Sequence, residues 1–221
     1  MLLFWRLTKG LLGCFVPLLM LCTVQAQTTT NPSLNAQLLV AARQGDLPAV
    51  QRALARGAMA DSRNRLGKTA LMMACEKGNL ALATLMLSAK ASANLPSLER
   101  VTPLMAASYG GHTALVRVLL DAGAATDALD RMSKPAIVYA AGQGQSDAVA
   151  LLLDHKVPVD GLYVNQLSAL MWAAGQGHSA TVRLLLARGA SAELRDDRGL
   201  SAADMARQAG HAEVVALLAA K

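Results

Sequence analysis

Six glycines constrain this chain more than any other feature. Gly45, Gly78, Gly111, Gly144, Gly177 and Gly210 lie 33 residues apart without exception. Four residues before each sits an alanine: Ala41, Ala74, Ala107, Ala140, Ala173 and Ala206. Nine residues after the first five glycines sits a leucine: Leu54, Leu87, Leu120, Leu153 and Leu186. Three registers that coincide over six copies define an internal repeat, and a period of this length means a stacked array. One unit cannot bury its own apolar side, so its neighbours must cover it.

Within a unit the apolar spacing is helical. In the third copy Leu104 and Ala107 mark one short helix. Leu115, Val116, Leu119 and Leu120 mark a second, at the i, i+3, i+4 spacing of one buried stripe. The register glycine falls between the two, where a left-handed backbone costs glycine little. "DAGA" from Asp121 and "ARGA" from Ala187 close the second helix in the same way. The polar runs between units suit a turn or hairpin. Hydrophobic residues make up 53% of the chain but aromatics only 3%, so the apolar mass is Ala, Leu, Val and Met, which suits closely packed helices.

The fullest copy reads "VTPLMAASYGGHTALVRVLLDAGA" from Val101 to Ala124, followed in likeness by "KTALMMACEKGN" at Lys68 and "LSALMWAAGQGH" at Leu167. This resembles the ankyrin repeat, whose unit is a β-turn and two antiparallel helices with a "TPLH-x-A" signature. The resemblance covers Leu34 to Lys221 and implies an all-α repeat solenoid of about six stacked 33-residue repeats, helix-turn-helix with β-turn or hairpin tips. The repeats fall at about 35–63, 64–96, 97–129, 130–162, 163–195 and 196–221. Met72, Met105, Val138 and Met171 replace the family's histidine, exchanging a hydrogen-bonding group for apolar packing. Pro135 takes the threonine position in the fourth copy. The end copies read as caps: Asp204 and Arg207 are polar where inner copies are not, and Ala36 and Gln37 stand where "TP" would be.

The first residues are of another kind. "MLLFWRLTKG" carries Arg6 and Lys9, an uncharged stretch "LLGCFVPLLMLCTV" follows, and Val24 and Ala26 occupy small-residue positions. Charged start, short apolar run and small-residue site predict a secretory signal peptide over 1–26, cut after Ala26. Its apolar run is shorter than the ~20 residues of a membrane span. Residues 27–34, "QTTTNPSL", read as a flexible lead-in to a repeat domain over 35–221. The expected location is the periplasm or outside the cell, and the Ala-rich composition with a short leader fits a Gram-negative bacterium. No membrane contact is expected after cleavage; an adaptor tethered by an uncleaved leader is the alternative.

The chain has 21 basic and 15 acidic residues, a net charge of +6. Loss of Arg6 and Lys9 with the leader leaves 19 against 15, or +4. That is far from the dense basic stripe of a nucleic-acid binder, so no nucleic acid is expected. Cys14 and Cys22 depart with the leader, and Cys75 alone cannot form an internal disulfide.

No catalytic, metal or cofactor site is expected. His112, His178 and His211 each follow a register glycine. Equivalent positions in neighbouring repeats lie ~8–10 Å apart, too far to share an ion bound at ~2.0–2.1 Å. These histidines are expected to bond loop backbone, and His155 to be solvated. Cys75 and Ser108 occupy a position filled elsewhere by Ala42, Ala141 and Ala174, and so read as small packed residues. A redox or enzyme-accessory role through Cys75 is the alternative. "GQGQ" at Gly142 lacks the lysine of a phosphate loop. Trp172, Tyr139 and Met73 share one position of the signature; packing is the expected role, with exposure in the groove as the alternative.

By resemblance, partners bind at the turn tips and the exposed end of the first helix. That assigns Arg65, Lys68, Lys77, Leu98, Tyr109, Arg131, Met132, Lys134, Gln143, Val164 and Gln176 to the partner-binding face. Arginine and tyrosine are the types that dominate binding energy. The set predicts a protein partner with an acidic, partly apolar surface, centred on Arg65, Lys77, Tyr109, Arg131 and Lys134. The chain itself is expected to be monomeric.

Overall fold

Thr69, Thr102, Ser168 and Ser201 each end a loop and start a helix. Their hydroxyl oxygens accept the backbone N–H three residues on, at 3.2–3.3 Å. This supplies a partner to a group the helix leaves unbonded. Pro135 fills the same position without such a bond. The signature threonine is therefore a helix start signal, and the fourth repeat does without it.

The structure is a computed structural model that describes residues 32–220. The expected leader and its cleavage site lie outside the described residues. Among those residues are twelve α-helices: α1 Pro32–Gln44, α2 Leu47–Ala55, α3 Ala70–Glu76, α4 Leu80–Ser88, α5 Pro103–Tyr109, α6 Thr113–Asp121, α7 Ala136–Gly142, α8 Ser146–Asp154, α9 Ala169–Gly175, α10 Ser179–Ala187, α11 Ala202–Gln208 and α12 Ala212–Ala219. A 3-10 turn, Val164–Gln166, precedes α9. Helix α1 takes in residues 32–34 of the expected lead-in. The reason is an i, i+4 pair: Leu34 and Leu38 are both buried on one face.

The helices form two layers. The odd-numbered ones pack side by side in chain order, the even-numbered ones do the same, and each odd helix packs on the even one that follows it. One apolar cluster runs between the layers from Leu34 to Leu218. Leu71, Met72, Leu104, Met105, Leu119 and Leu152 are fully enclosed in it. The methionines that replace the signature histidine are thus core residues. All six register glycines adopt positive φ, between 67° and 79°, at the turn between paired helices.

That turn has a second duty. The His178 ring sits over Gly144, where an added Cβ would meet Nδ1 at 2.6 Å. Its Nε2–H donates to the Gly142 carbonyl, 3.1 Å away in the preceding repeat. His211 repeats the arrangement over Gly177, with its bond to the Gly175 carbonyl at 3.2 Å. The His112 ring lies against Gly78 and Gly110. These histidines tie one repeat to the last.

The C-terminal repeat is finished by charge. The Asp204 carboxylate accepts from the Ser201 hydroxyl at 2.7 Å and from Arg207 at 2.7 Å. The Ser201 hydroxyl and backbone bonds, with Arg207, hold the Asp204 carboxyl down at about 2.

Candidate partner-binding face

Each loop between repeats is built on one residue in register: Asn64, Ser97, Asp130, Tyr163 and Asp196. Its N–H bonds the carbonyl four residues on, at 2.9–3.2 Å. Its carbonyl accepts from the third residue on, which has positive φ: Gly67, Arg100, Ser133, Gln166 or Gly199. Where the side chain carries a suitable oxygen it clamps the turn from inside. Asn64 accepts from the N–H groups of Leu66 and Lys68, and Asp196 from those of Arg198 and Leu200, at 2.8–3.0 Å. Asp130 accepts from Met132 and Lys134 at 2.8 Å and from the Tyr139 hydroxyl at 2.5 Å. Burial and this bond to Asp130 push the Tyr139 phenol well above its usual value.

Backbone bonds lace the second tip to the third, the third to the fourth and the fifth to the sixth. Leu98 N–H bonds the Leu66 carbonyl at 3.0 Å, Arg131 N–H the Glu99 carbonyl at 3.2 Å, and Asp197 N–H the Asn165 carbonyl at 3.2 Å. Arg131 Nε adds a bond to the Leu98 carbonyl at 3.0 Å. The second to fourth tips therefore form one fixed edge that carries Leu66, Leu98 and Met132 outward; Met132 is 62% exposed.

The residues expected to bind partners lie on these tips and on the adjoining helix ends, but they do not act as one group. Tyr109, Lys134, Gln143 and Gln176 converge on a single pocket of ≈ 170 Å³, floored by Gly142 and walled by Tyr139 and Trp172. Leu98 and Arg131 lie beside each other on neighbouring tips, and Glu99 approaches Arg131 at 3.6 Å. Arg65 is exposed in the second repeat, outside that pocket. Lys68 is paired with Glu76 at 2.6 Å, and Lys77 donates to the Arg43 carbonyl. Val164 is half-buried as the first residue of the 3-10 turn.

Packing holds for Met73, which is buried. It does not account for Tyr139 and Trp172 in the same register: both are half-buried, with one side against the core and the other on the pocket. Neighbour size accounts for the opening beside Trp172. Gly142 presents no side chain, and even an added Cβ there would reach only Trp172 Cε3, at 3.7 Å. Tyr139 meets Tyr109 edge to face, with centroids 6.1 Å apart. Lys134 Nζ lies 4.5 Å from the centre of the Trp172 ring. Four aromatic residues fall within 32–220, and three of them meet here. Trp172 Nε1 is buried without a hydrogen-bond partner among the described residues.

A family model described as ankyrin repeats in three copies matches residues 13–97, 38–130, 81–161 and 137–221. The chain belongs to the ankyrin repeat family. Ankyrin repeats mediate contacts between proteins, and the pocket lies on the array's tips and first helices. The chain is also similar to the human ASB11 ankyrin repeat domain, at 29% identity and a TM-score of 0.76, over 83% of this chain and 82% of that one. No curated protein matches it.

Cys75 is fully enclosed in α3. Burial, and to a lesser degree Glu76, push its thiol up to about 12. It keeps its proton at neutral pH, and a redox role needs the thiolate. Among the described residues no three His, Cys, Asp or Glu are placed to hold a metal ion. No helix there is long and apolar enough to cross a membrane.

Proposed function

We propose that this ankyrin array is a non-catalytic protein-binding scaffold of a bacterial cell envelope. It is exported behind residues 1–26, cut after Ala26, and works as a monomer in the periplasm or outside the cell. Its partner presents an acidic, partly apolar surface to the tips and first helices of repeats three to five. The observation that carries this reading is the gathering of Tyr109, Tyr139 and Trp172 beside Lys134, where Tyr163 is the one other aromatic residue within 32–220.

Stacking alone gives no reason for that gathering. The position of Trp172 takes Met73, Ala106 and Met205 in other repeats, none of which strands a polar atom. A buried indole N–H without a partner costs ~1–3 kcal/mol. Tryptophan and tyrosine are enriched where binding energy concentrates. Lys134 has no ion pair among the described residues, and its ammonium is a ready partner for a carboxylate from outside.

The test is affinity purification of the full chain from its native envelope fraction, with Arg131→Glu/Lys134→Glu in parallel. The reading expects a captured protein that the charge-reversed variant loses. Equal recovery by both would remove it. Intact mass of the exported protein decides the leader: a chain beginning at Gln27 supports export by cleavage, and an uncleaved chain favours the tethered adaptor.

A further inference from the structure

The aromatic pocket has a neighbour. A second pocket, ≈ 350 Å³, shares Trp172 and Gln176 as walls and is completed by Leu167, Met171 and Met205, with Arg198 at its rim. The first pocket lies over α7 and α9, the second over α9 and α11. Packed helices repeat at ~8–10 Å, so the two pockets are offset by about that distance along the array.

This offset selects among peptide conformations. In a β-strand, side chains on one face recur every second residue, ~6.6 Å apart. In a polyproline II helix they recur every third residue at a rise of ~3.1 Å, or ~9.3 Å. Of these two extended conformations, the second matches the array. The pockets' walls agree with it. Aromatic-lined grooves take proline rings, and polyproline II segments arrive already ordered. Their backbone carbonyls have no internal partner, and the exposed amides of Gln143 and Gln176 stand at the groove to meet them.

Charge fixes the rest. Lys134 leans its ammonium on the wall of the first pocket without an ion pair among the described residues, while the buried Asp130 carboxylate is taken up by backbone N–H groups and the Tyr139 hydroxyl. Arg131 on the same tip has only the exposed Glu99 at 3.6 Å.

We propose that the double cleft binds a polyproline II segment of a partner protein, with prolines three residues apart and a carboxylate next to the first. The first proline packs against Tyr139 and Trp172, the second enters the methionine-walled pocket, and the carboxylate meets Lys134. This rests on the protein-binding reading of the same face and narrows it to one kind of segment.

Fluorescein-labelled synthetic peptides test it by anisotropy against the full chain. One carries Asp-Pro-Ala-Ala-Pro within a short neutral flank. A second has the same composition with its prolines two residues apart. The first should bind saturably. Trp172→Met and Lys134→Glu should each weaken it about tenfold or more, as for a residue central to an interface. Arg183→Ala, in α10 on the other layer, should leave it unchanged. Trp172→Met keeps the residue type of Met73 and Met205 in that register, and circular dichroism confirms that it folds.

No saturation by the first peptide, equal affinity for both spacings, or full affinity in Trp172→Met overturns the proposal. If the peptide fails while Arg131→Glu/Lys134→Glu still abolishes capture of the native partner, only this inference falls. If capture is also indifferent to those charges, the reading of function falls with it.

Discussion

His178 Nε2 lies 3.1 Å from the carbonyl oxygen of Gly142, one repeat earlier, while the rest of its ring covers Gly144. The glycine that reverses the chain in one repeat is thus the seat for a side chain of the next. Gly210, at the end of the array, has positive φ but nothing within 4 Å of an added Cβ. Alanine at Gly210 should cost only the left-handed strain, ~1–2 kcal/mol. Alanine at Gly144 should cost ~1–3 kcal/mol more, for displacing the ring. Urea unfolding of both variants measures the difference, and His178→Ala should cancel the extra cost in the double variant.

The interior of each repeat depends on its neighbours, so core truncation should be severe anywhere along the stack. Leu119→Ala removes a fully enclosed side chain of α6 and should cost ~2–5 kcal/mol in urea unfolding. Arg117→Ala, two residues away and exposed, should change stability by no more than ~0.5 kcal/mol.

Lys90 and Lys156 end their second helices at φ of 64° and 65°, where other repeats place Gly57, Gly123 and Gly189. A side chain there works against the backbone. Lys156→Gly should therefore stabilise the array by ~1 kcal/mol, read as a higher melting temperature.

Cys75 makes stability depend on pH. Its folded thiol is raised to about 12 from an ordinary 9.0, so the folded state holds a proton that the unfolded chain gives up. The stabilisation is complete below the lower of these values and is lost as pH rises towards the higher. The urea midpoint should fall from about pH 9 upward, more steeply than in Cys75→Ala. At pH 8 the native thiol should react with a disulfide reagent far more slowly than the unfolded one.

Trp172→Met should separate stability from binding. It removes a buried N–H without a partner and keeps an apolar side chain against the core. The melting curve should move by the equivalent of ~1 kcal/mol or less, because the lost contacts offset the removed penalty. Partner capture should fall sharply.

The repeat and its two helices were legible because they rest on local requirements. A glycine at positive φ and an i, i+3, i+4 stripe leave marks at fixed spacing. The histidine seats were only half legible. His112, His178 and His211 could be read as structural, but the ring's place over a glycine 34 residues back depends on how far one repeat is rotated on the next. The cleft was the least legible. Tyr109, Lys134, Gln143 and Gln176 could be placed on one face from the register. Met73 and Trp172 share a position, yet one is enclosed and the other half open, because Gly142 leaves room beside the tryptophan. The scarcity of aromatics, three of four in neighbouring first helices, was the signal available for it.

Asp130 bolts two parts together. The same buried carboxylate that folds the fourth tip also holds the Tyr139 hydroxyl, so loop and pocket wall form one lever. Asn64 performs the first job in the second repeat with no phenol attached. A guest wedged against Tyr139 would therefore pull on the turn that carries Met132 and Lys134, and a grip on Met132 from outside would steady the wall on which that guest rests.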